Sequence, residues 1–359
     1  MDAAILRILD ANLNRAREGL RVMEEHARMV LNDARLTAEI KQLRHELAEV
    51  GRLIGSSQLL ASRDTPGDVG TTITTASEGV RDSAEAVAAA ACKRAAESLR
   101  CMEEYGKTLA VDVAARVEAI RYRVYTAEQS LLLTGPRRRK LAEAKLHVLL
   151  TASLCRRPWR DVAVAVLEAG AGAIQLREKA MPDAALLERA VALRELTQAR
   201  GALLIINDRP DIARLSGADG VHLGRDDLPV PAARAIAGPT VMIGATAHDE
   251  REIADALTAG ADYLGVGPMF SSPTKPAVSV NGPGLLKRSL EIVGSASGSK
   301  MPVVAIGGVN ATNAASLAES CRGGGRFSVA VCQGAIGAPD PAAAVRAVLH
   351  ALGADRPSA

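Results

Sequence analysis

Aromatic side chains are scarce in this chain, whose 359 residues include two Phe, four Tyr and one Trp. Nucleobase stacking needs such rings, and a formal net charge of +3 provides no broad positive field for a polyanion. We therefore expect no nucleic-acid partner. The sequence also lacks an apolar signal core and any run of about 18 apolar residues, so we expect no membrane partner.

The cysteines give no sign of disulfide bonds or of a structural zinc site. The five cysteines show neither CxxC nor zinc-like spacing, which predicts free thiols in a reducing compartment, with the cytoplasm as the default. Apolar residues make up 48% of the chain and charged residues 24%, as in ordinary globular proteins. The length favours two domains.

Residues 1–134 have a helical period and an internal repeat. The stretch REGLRVMEE at 17–25 returns as AESLRCMEE at 96–104, and the arginines and glutamates return together with the apolar stripe. We expect an all-α domain of duplicated helices related by a pseudo-two-fold axis. The repeated charges either form a solvated face or converge on a site. The repeated arginines are Arg15, Arg21, Arg94 and Arg100.

Two segments of helix-breaking or charged composition interrupt this domain and end it. Residues 62–74, SRDTPGDVGTTIT, indicate either an ordered ligand-closing loop or a connector. Residues 135–144 combine a Gly-Pro pair with the basic run RRRK, which indicates a solvated linker at the domain boundary.

From residue 145 to 359 short apolar runs alternate with amphipathic helices. The runs are KLHVLLT, AIQLR, LLIIND, GVHLG, VMIGAT, YLGVGP, VVAIGG and FSVAVCQ. Eight strand-then-helix units predict a (β/α)₈ TIM barrel, so the whole chain is predicted as an α/β barrel preceded by an all-α domain.

Polar residues gather where the second to fifth runs end, and those ends share the barrel mouth. Gln175, Arg177 and Lys179 lie at the end of one run, while Asn207 and Asp208 lie at the end of the next. Each has an alternative interpretation, for example Asp208 as a helix cap. Together, two cations and the carboxylates after the next two runs, Asp208 and either Asp226 or Asp227, suit a magnesium ion bound to a diphosphate.

The other side of the mouth has features of a phosphate site. The sixth run leads into GPMFSSPTKP, a constrained loop with hydroxyl groups and Lys275. Glycines follow the seventh and eighth runs, where backbone N–H groups at helix starts favour an anion.

The ordered motifs QLREK, IINDR, GVHLGRDD, GATAH, GVGPMFSSPTKP and AIGGVN resemble those of thiamine phosphate synthases. The resemblance implies Mg²⁺-assisted coupling of a hydroxymethylpyrimidine diphosphate to a thiazole phosphate carboxylate, with dissociative loss of diphosphate. It implies catalytic roles for Arg177, Lys179 and Lys275, and metal ligation by Asp208 and Asp227. The implied pyrimidine diphosphate contacts are Gln175, Leu176, Arg177, Glu178, Lys179, Asn207, Thr246 and Lys275. The implied thiazole phosphate contacts are Ser272, Pro273, Thr274, Gly308, Ala335 and Ile336.

The helical half resembles the module linked to hydroxymethylpyrimidine phosphate phosphorylation that often precedes this synthase, on DANLNRAREGLRVMEEHAR, SRDTPGDVG and KRAAESLRCMEEYGK. This implies ATP as a partner and Arg15, Arg21, Arg94 and Arg100 as phosphate ligands. Two alternatives stay open. The barrel could be a thiazole tautomerase that uses His248, and the helical half could be an assembly module of a homo-oligomer.

Overall fold

The structure is a computed structural model that describes residues 2–70, 80–271, 280, 282–295 and 301–353. It contains two compact units, Met1–Gly135 and Pro136–Ala359. The first is all-helical and the second holds a closed barrel, which confirms the predicted fold class.

The N-terminal unit contains α1 (Ala3–Glu25), α2 (Ala34–Ile54), α3 (Ser56–Ala61), α4 (Ala84–Gly106) and α5 (Val111–Gln129). Asp2, Asp33 and Ser83 cap α1, α2 and α4 by accepting backbone N–H groups of their first turns. Single π-helical segments follow α1 at His26–Val30 and α5 at Ser130–Thr134. Residues 71–74 of the predicted loop lie outside the described residues.

The repeated helices α1 and α4 pack against each other through small residues. A Cβ placed on Gly19 would lie 2.8 Å from the Ala91 carbonyl oxygen and 3.1 Å from the Ala95 Cβ. Ala16, Leu20 and their repeat equivalents are fully buried, as the stripe predicts. Glycine at position 19 therefore allows the close approach of the two copies.

Both copies also bury a glutamate, which the sequence did not indicate. Glu24 is 5% exposed and is bound by Arg44, while its repeat equivalent Glu103 is 3% exposed and receives a 2.7 Å hydrogen bond from Arg121 Nε. The helix pair α1–α2 thus has the same ion pair as α4–α5. This conserved charge has a packing role in each copy.

The barrel closes in the order β1 to β8, with every neighbouring pair parallel. Its strands are β1 (Leu146–Leu150), β2 (Ala173–Leu176), β3 (Leu203–Asn207), β4 (Gly220–Leu223), β5 (Met242–Ala247), β6 (Tyr263–Val266), β7 (Val303–Ile306) and β8 (Ser328–Val331). All eight coincide with the predicted apolar runs. Parallel strands covered by helices are buried on both faces, which explains the absence of alternation.

Ten α-helices and one 3₁₀ helix, Ala152–Leu154, lie in the described residues from 135 to 353. The α-helices are α6 (Gly135–Glu143), α7 (Trp159–Glu168), α8 (Asp183–Ala199), α9 (Pro210–Leu215), α10 (Val230–Ala237), α11 (Glu250–Thr258), α12 (Gly282–Ser295), α13 (Ala314–Ser320), α14 (Gln333–Ile336) and α15 (Pro341–Ala351). Within the described ranges, no helix has the length and apolarity that a membrane span needs.

The expectation of a solvated linker at 135–144 is wrong, because this segment is the helix α6. Leu141 is fully buried against residues of the barrel interior, including Leu149 and Leu203. Arg137 forms an ion pair with Asp219 at 3.1 Å. The basic run thus belongs to the base of the barrel, because an apolar residue and a buried carboxylate hold the helix there.

Candidate active site

The carboxyl ends of β2 and β3 form the floor of the candidate site. Gln175 and Asn207 point into the barrel, and Gln175 Nε2 donates a hydrogen bond to Asn207 Oδ1 at 3.1 Å. Gln175 is only 8% exposed. The pair therefore presents amide groups in a fixed orientation to anything bound above it.

Two carboxylates lie beside this floor. Asp208 has a left-handed backbone with a φ of 63°, and its N–H donates to the His222 carbonyl at 2.8 Å. Asp227 Oδ2 accepts from the Gly224 N–H at 2.6 Å. Burial and the adjacent Asp227 together raise the pKa of Asp208 to about 6, while Lys179 and Arg177 oppose the shift. The structure thus brings together all four charged groups predicted for the diphosphate and its metal.

This carboxylate pair fits a magnesium ion. The described residues contain no cluster of three or more His, Cys, Asp and Glu side chains suited to a metal. Magnesium is commonly held by one or two carboxylates together with water and substrate phosphate oxygens. A divalent cation would also relieve the repulsion that raises the pKa of Asp208.

The loop after β2 is fixed by three hydrogen bonds to the end of β1 and by one from α8. The Arg177 N–H donates to the Leu150 carbonyl at 2.8 Å, and Thr151 Oγ1 donates to the Arg177 carbonyl at 2.7 Å. Glu178 accepts from the Ala152 N–H at 2.8 Å and from Arg189 at 2.5 Å. The Glu178 side chain is thus committed to the loop, and a substrate contact by this residue would involve its backbone.

The side chain of Leu176 is also unavailable to a ligand, because it is 1% exposed within the core between the strands and the helices. Its alternation with Gln175 and Arg177 along the strand places it on the outer face of β2. Only its backbone is available to a ligand.

Thr246 belongs to a buried polar network that the sequence analysis missed. His222 Nε2 lies 3.0 Å from Thr246 Oγ1, and His222 Nδ1 lies 3.2 Å from the Tyr263 hydroxyl. A Cβ on Gly265 would lie 2.6 Å from His222 Cε1, and one on Gly244 would lie 2.1 Å from Tyr263 Cζ. The inward-facing glycines of β5 and β6 were the available signal, because a strand glycine often marks close approach of another group.

The glycines after β7 form a tight turn next to the loop after β6. Gly307 and Gly308 have φ values of 96° and 67°, and a Cβ on Gly308 would lie 2.5 Å from the Ser271 carbonyl oxygen. Asn313 Nδ2 donates to the Gly308 carbonyl at 2.9 Å, which fixes the turn. Only glycine fits this position.

The prediction for Ala335 and Ile336 needs correction. Their N–H groups donate to the Cys332 carbonyl at 2.9 and 3.0 Å, and their side chains are fully buried. These amides are therefore already used inside α14. The first-turn amides of Gln333 and Gly334 come before the first bond of that helix and are better placed for a phosphate. Ser272, Pro273, Thr274 and Lys275 lie outside the described residues.

The four N-terminal arginines have two kinds of surroundings. Arg21 contacts Glu25 at 2.5 Å, and Arg100 contacts Glu104 at 2.7 Å, each on its own helix. Arg15 and Arg94 are exposed. Phosphate binding by this set stays a prediction.

Two protein families match this chain. The thiamine monophosphate synthase model matches residues 146–334, and the ThiD2 family model matches residues 7–130. The chain belongs to the thiamine monophosphate synthase family. The thiamine-phosphate synthase of Rhodopirellula baltica is 43% identical over 329 residues, which cover 90% of this chain and 87% of that protein. That of Gloeobacter violaceus is 40% identical over 340 residues, which cover 95% and 94%.

A solved structure supports the same family. The thiamine phosphate pyrophosphorylase from Pyrococcus furiosus aligns with a TM-score of 0.52 and 34% identity, over 60% of this chain and 98% of that one. This share agrees with a barrel that occupies the larger unit. The predicted family, fold and transferase class are confirmed.

Proposed function

We propose that the barrel couples hydroxymethylpyrimidine diphosphate to a thiazole phosphate carboxylate, yielding thiamine phosphate, CO₂ and diphosphate. The observation that carries this proposal is the convergence of Arg177, Lys179, Asp208 and Asp227 at one end of the barrel. A site that only isomerised a thiazole would not need a set of groups matched to a metal-bound diphosphate.

The side chains of the mouth bind and orient the diphosphate. Arg177 and Lys179 stabilise negative charge that builds on the leaving oxygens as the carbon–oxygen bond breaks. Asp208 and Asp227 would hold magnesium, which supplies further neutralisation of the diphosphate when bound. The fixed loop after β2 keeps both cations in place, so little reorganisation accompanies bond breaking.

The remaining steps need positioning more than acid–base chemistry. The departing diphosphate takes the bonding electron pair, and the aminopyrimidine ring delocalises the positive charge left on its methylene carbon. The thiazole nitrogen then forms the new carbon–nitrogen bond, the carboxylate leaves as CO₂, and the electron pair left on the ring takes up a proton from solvent. Gln175, Asn207 and Thr246 orient the pyrimidine so that its methylene carbon stays aligned with the leaving oxygen and the thiazole nitrogen.

The contacts of His248 support the coupling reaction over a thiazole tautomerase. Glu252 accepts from the His248 N–H at 2.7 Å and lies 3.1 Å from its Nδ1. These bonds tie the histidine to the start of α11, so a role in orientation is better supported than the catalytic role that a tautomerase would require.

The test is diphosphate release by the full chain. Arg177→Ala should lower kcat/KM by about 100-fold or more, because it removes a donor aimed at developing charge. Arg251→Ala is the matched control, since that side chain is 91% exposed on α11, and it should leave kcat/KM unchanged. Isomerisation of the thiazole without diphosphate release would contradict the proposal.

For the helical unit we propose phosphorylation of hydroxymethylpyrimidine phosphate, supported by the ThiD2 family match. The terminal phosphoryl group of ATP would pass to an oxygen of the substrate phosphate, forming the diphosphate and ADP. The full chain should then accept the monophosphate plus ATP. A chain starting at Pro136, which keeps Leu141 in the barrel base, should need supplied diphosphate. An assembly module would instead change only the oligomeric state.

A further inference from the structure

A polar cavity of 180 Å³ lies beside the first helix of the N-terminal unit. Its walls come from α1 and from the segment directly after α3, which are the two stretches whose motifs, DANLNRAREG and SRDTPGD, marked the resemblance of this unit. The lining residues are Arg7, Asp10, Ala11, Asn14, Arg63, Asp64, Thr65 and Asp68.

The cavity is built around a buried carboxylate. Asp10 is 6% exposed and accepts from Arg63 Nε at 2.8 Å and from Arg63 Nη2 at 2.9 Å. This bidentate pair leaves Arg63 Nη1 for a further acceptor. Arg7 Nη2 donates to the Asp64 carbonyl at 2.9 Å, which fixes a second guanidinium at the wall. Arg7 Nη1 also lies 3.5 Å from Asp64 Oδ2, so two oriented guanidinium groups, each paired with a carboxylate, line one small space together with Asp68.

Asn14 supplies a hydrogen-bond acceptor to the same cavity. Its Nδ2 donates to the Asp10 carbonyl at 2.9 Å and to Asp10 Oδ1 at 3.3 Å. Because these bonds use the amide nitrogen, Oδ1 of Asn14 remains as an acceptor. An acceptor near two cations fits a ligand that has both an amino group and an anionic group.

The internal repeat separates this polar set from the residues that the fold needs. Where α1 has Arg7, Asp10 and Asn14, the second copy has Ala86, Ala89 and Lys93. The buried ion pairs of Glu24 and Glu103 occur in both copies, so they serve packing. The cavity residues occur in one copy, and the equivalent part of α4 folds without them. They therefore serve something other than the helical fold.

We propose that this cavity binds the monophosphate ester of an amino-substituted pyrimidine, with Arg7 and Arg63 on the phosphate and Asn14 Oδ1 on the amino group. Drug-sized ligand pockets span about 300 to 1,000 Å³, so the cavity suits one ring and one phosphate better than a nucleoside triphosphate. The assignment rests on the proposed kinase function and names its phosphoryl-acceptor site.

The test measures binding of hydroxymethylpyrimidine monophosphate to the full chain by calorimetry. All proteins have Arg177→Ala, so that the barrel mouth does not contribute. Adding Arg7→Ala or Asn14→Ala should each raise Kd about tenfold, because each removes a hydrogen bond to a charged or amino group. Arg52→Ala is the control, since Arg52 is an exposed arginine of the same unit that pairs with Glu49, and Kd should stay unchanged.

The pyrimidine alcohol, which lacks the phosphate, separates the two roles. Asn14→Ala should weaken its binding, whereas Arg7→Ala should not. Far-UV circular dichroism and the thermal unfolding transition of the helical unit report whether each variant is folded, because the barrel is proposed to work without that unit. Unchanged Kd values for the monophosphate in both variants would overturn the site.

Failure of the site and failure of the kinase proposal are distinguishable. Specific binding that both variants weaken, without any phosphorylation in the presence of ATP, would keep the site and reject the kinase. Phosphorylation with an unchanged KM in both variants would keep the kinase and reject the site. A wild-type unit that does not bind the monophosphate would reject the site as well.

Discussion

The substitution Asp227→Asn should make the protein more stable and inactive. In the folded chain burial and the neighbouring Asp227 raise the pKa of Asp208 from 3.8 to about 6. A full shift of this size corresponds to about 3 kcal/mol of differential interaction. Because Asp208 is half-buried, screening reduces the effect, and we expect removal of the Asp227 charge to recover about 1 kcal/mol. Asparagine keeps an oxygen that can accept the Gly224 N–H.

The effect of Asp227→Asn on stability should depend on pH, because it depends on the ionisation of Asp208. A raised pKa in the folded state means that folding favours the protonated carboxyl, so ionised Asp208 destabilises the fold as pH rises from about 4 to about 6. The gain from Asp227→Asn should therefore be complete above about pH 6 and vanish below about pH 4. Thermal unfolding with a chelator present should show the barrel transition about 2 to 4 °C higher.

Magnesium supplies the second arm of this experiment. Wild-type protein should gain about 1.4 kcal/mol when magnesium reaches ten times its Kd, and the variant should gain less. Asp226→Asn is the matched control, because it removes the same charge from an exposed neighbour in the same loop. A variant that is destabilised with chelator present, or equal to wild type at pH 8, would refute the reasoning.

Three further changes test the barrel interior and the helical repeat. Gly265→Ala places a methyl group 2.6 Å from His222 Cε1, so chemical denaturation should show a loss of about 1 to 3 kcal/mol, and a neutral result would contradict this close contact. Glu103→Gln leaves the 2.7 Å partner Arg121 with no carboxylate, so we expect a loss of about 3 to 5 kcal/mol. Burial lowers the pKa of His147 from 6.5 to about 4, so stability falls as pH drops below 6.5, by about 2 kcal/mol at pH 5. The substitution His147→Gln should flatten that slope.

The barrel could be predicted because its strands are continuous apolar runs in a regular series. The carboxyl ends of parallel strands must share one rim, so Arg177, Asp208 and Asp227 could be grouped without knowing a distance. The structure added the individual contacts, such as the hydrogen bond from Gln175 to Asn207. The order of the strands and the residues at the barrel mouth therefore follow from the pattern of apolar runs, whereas the individual contacts do not.

The interior network could not be predicted because its members look ordinary in sequence. His222 lies in an apolar strand, and its partners Thr246 and Tyr263 lie on the next two strands. Their convergence depends on inward alternation and on the small residues that make room. The same limit applies to Ala335, whose amide is used inside a four-residue helix that no period reveals.

The burial of Glu103 could not be predicted from the helical repeat. A glutamate beside arginine at i−3 on an amphipathic helix is typical of a solvated face. The burial of Glu103 depends on Arg121, which approaches from the next helix and has no positional signal. The repeated glutamates thus form a shared packing element, while phosphate binding by the repeated arginines stays a prediction.

Four structural carboxylates of this chain, all buried, differ in charge environment from the half-buried Asp208 of the candidate site. Guanidinium partners neutralise the structural ones: Glu24 with Arg44, Glu103 with Arg121, Asp219 with Arg194, and Asp262 with Arg234. Asp208 instead faces Asp227, although Arg177 and Lys179 are close enough to lower its pKa. Packing alone gives no reason to hold two carboxylates together at a cost in stability. A bound divalent cation supplies that reason, because it turns the repulsion into shared ligation.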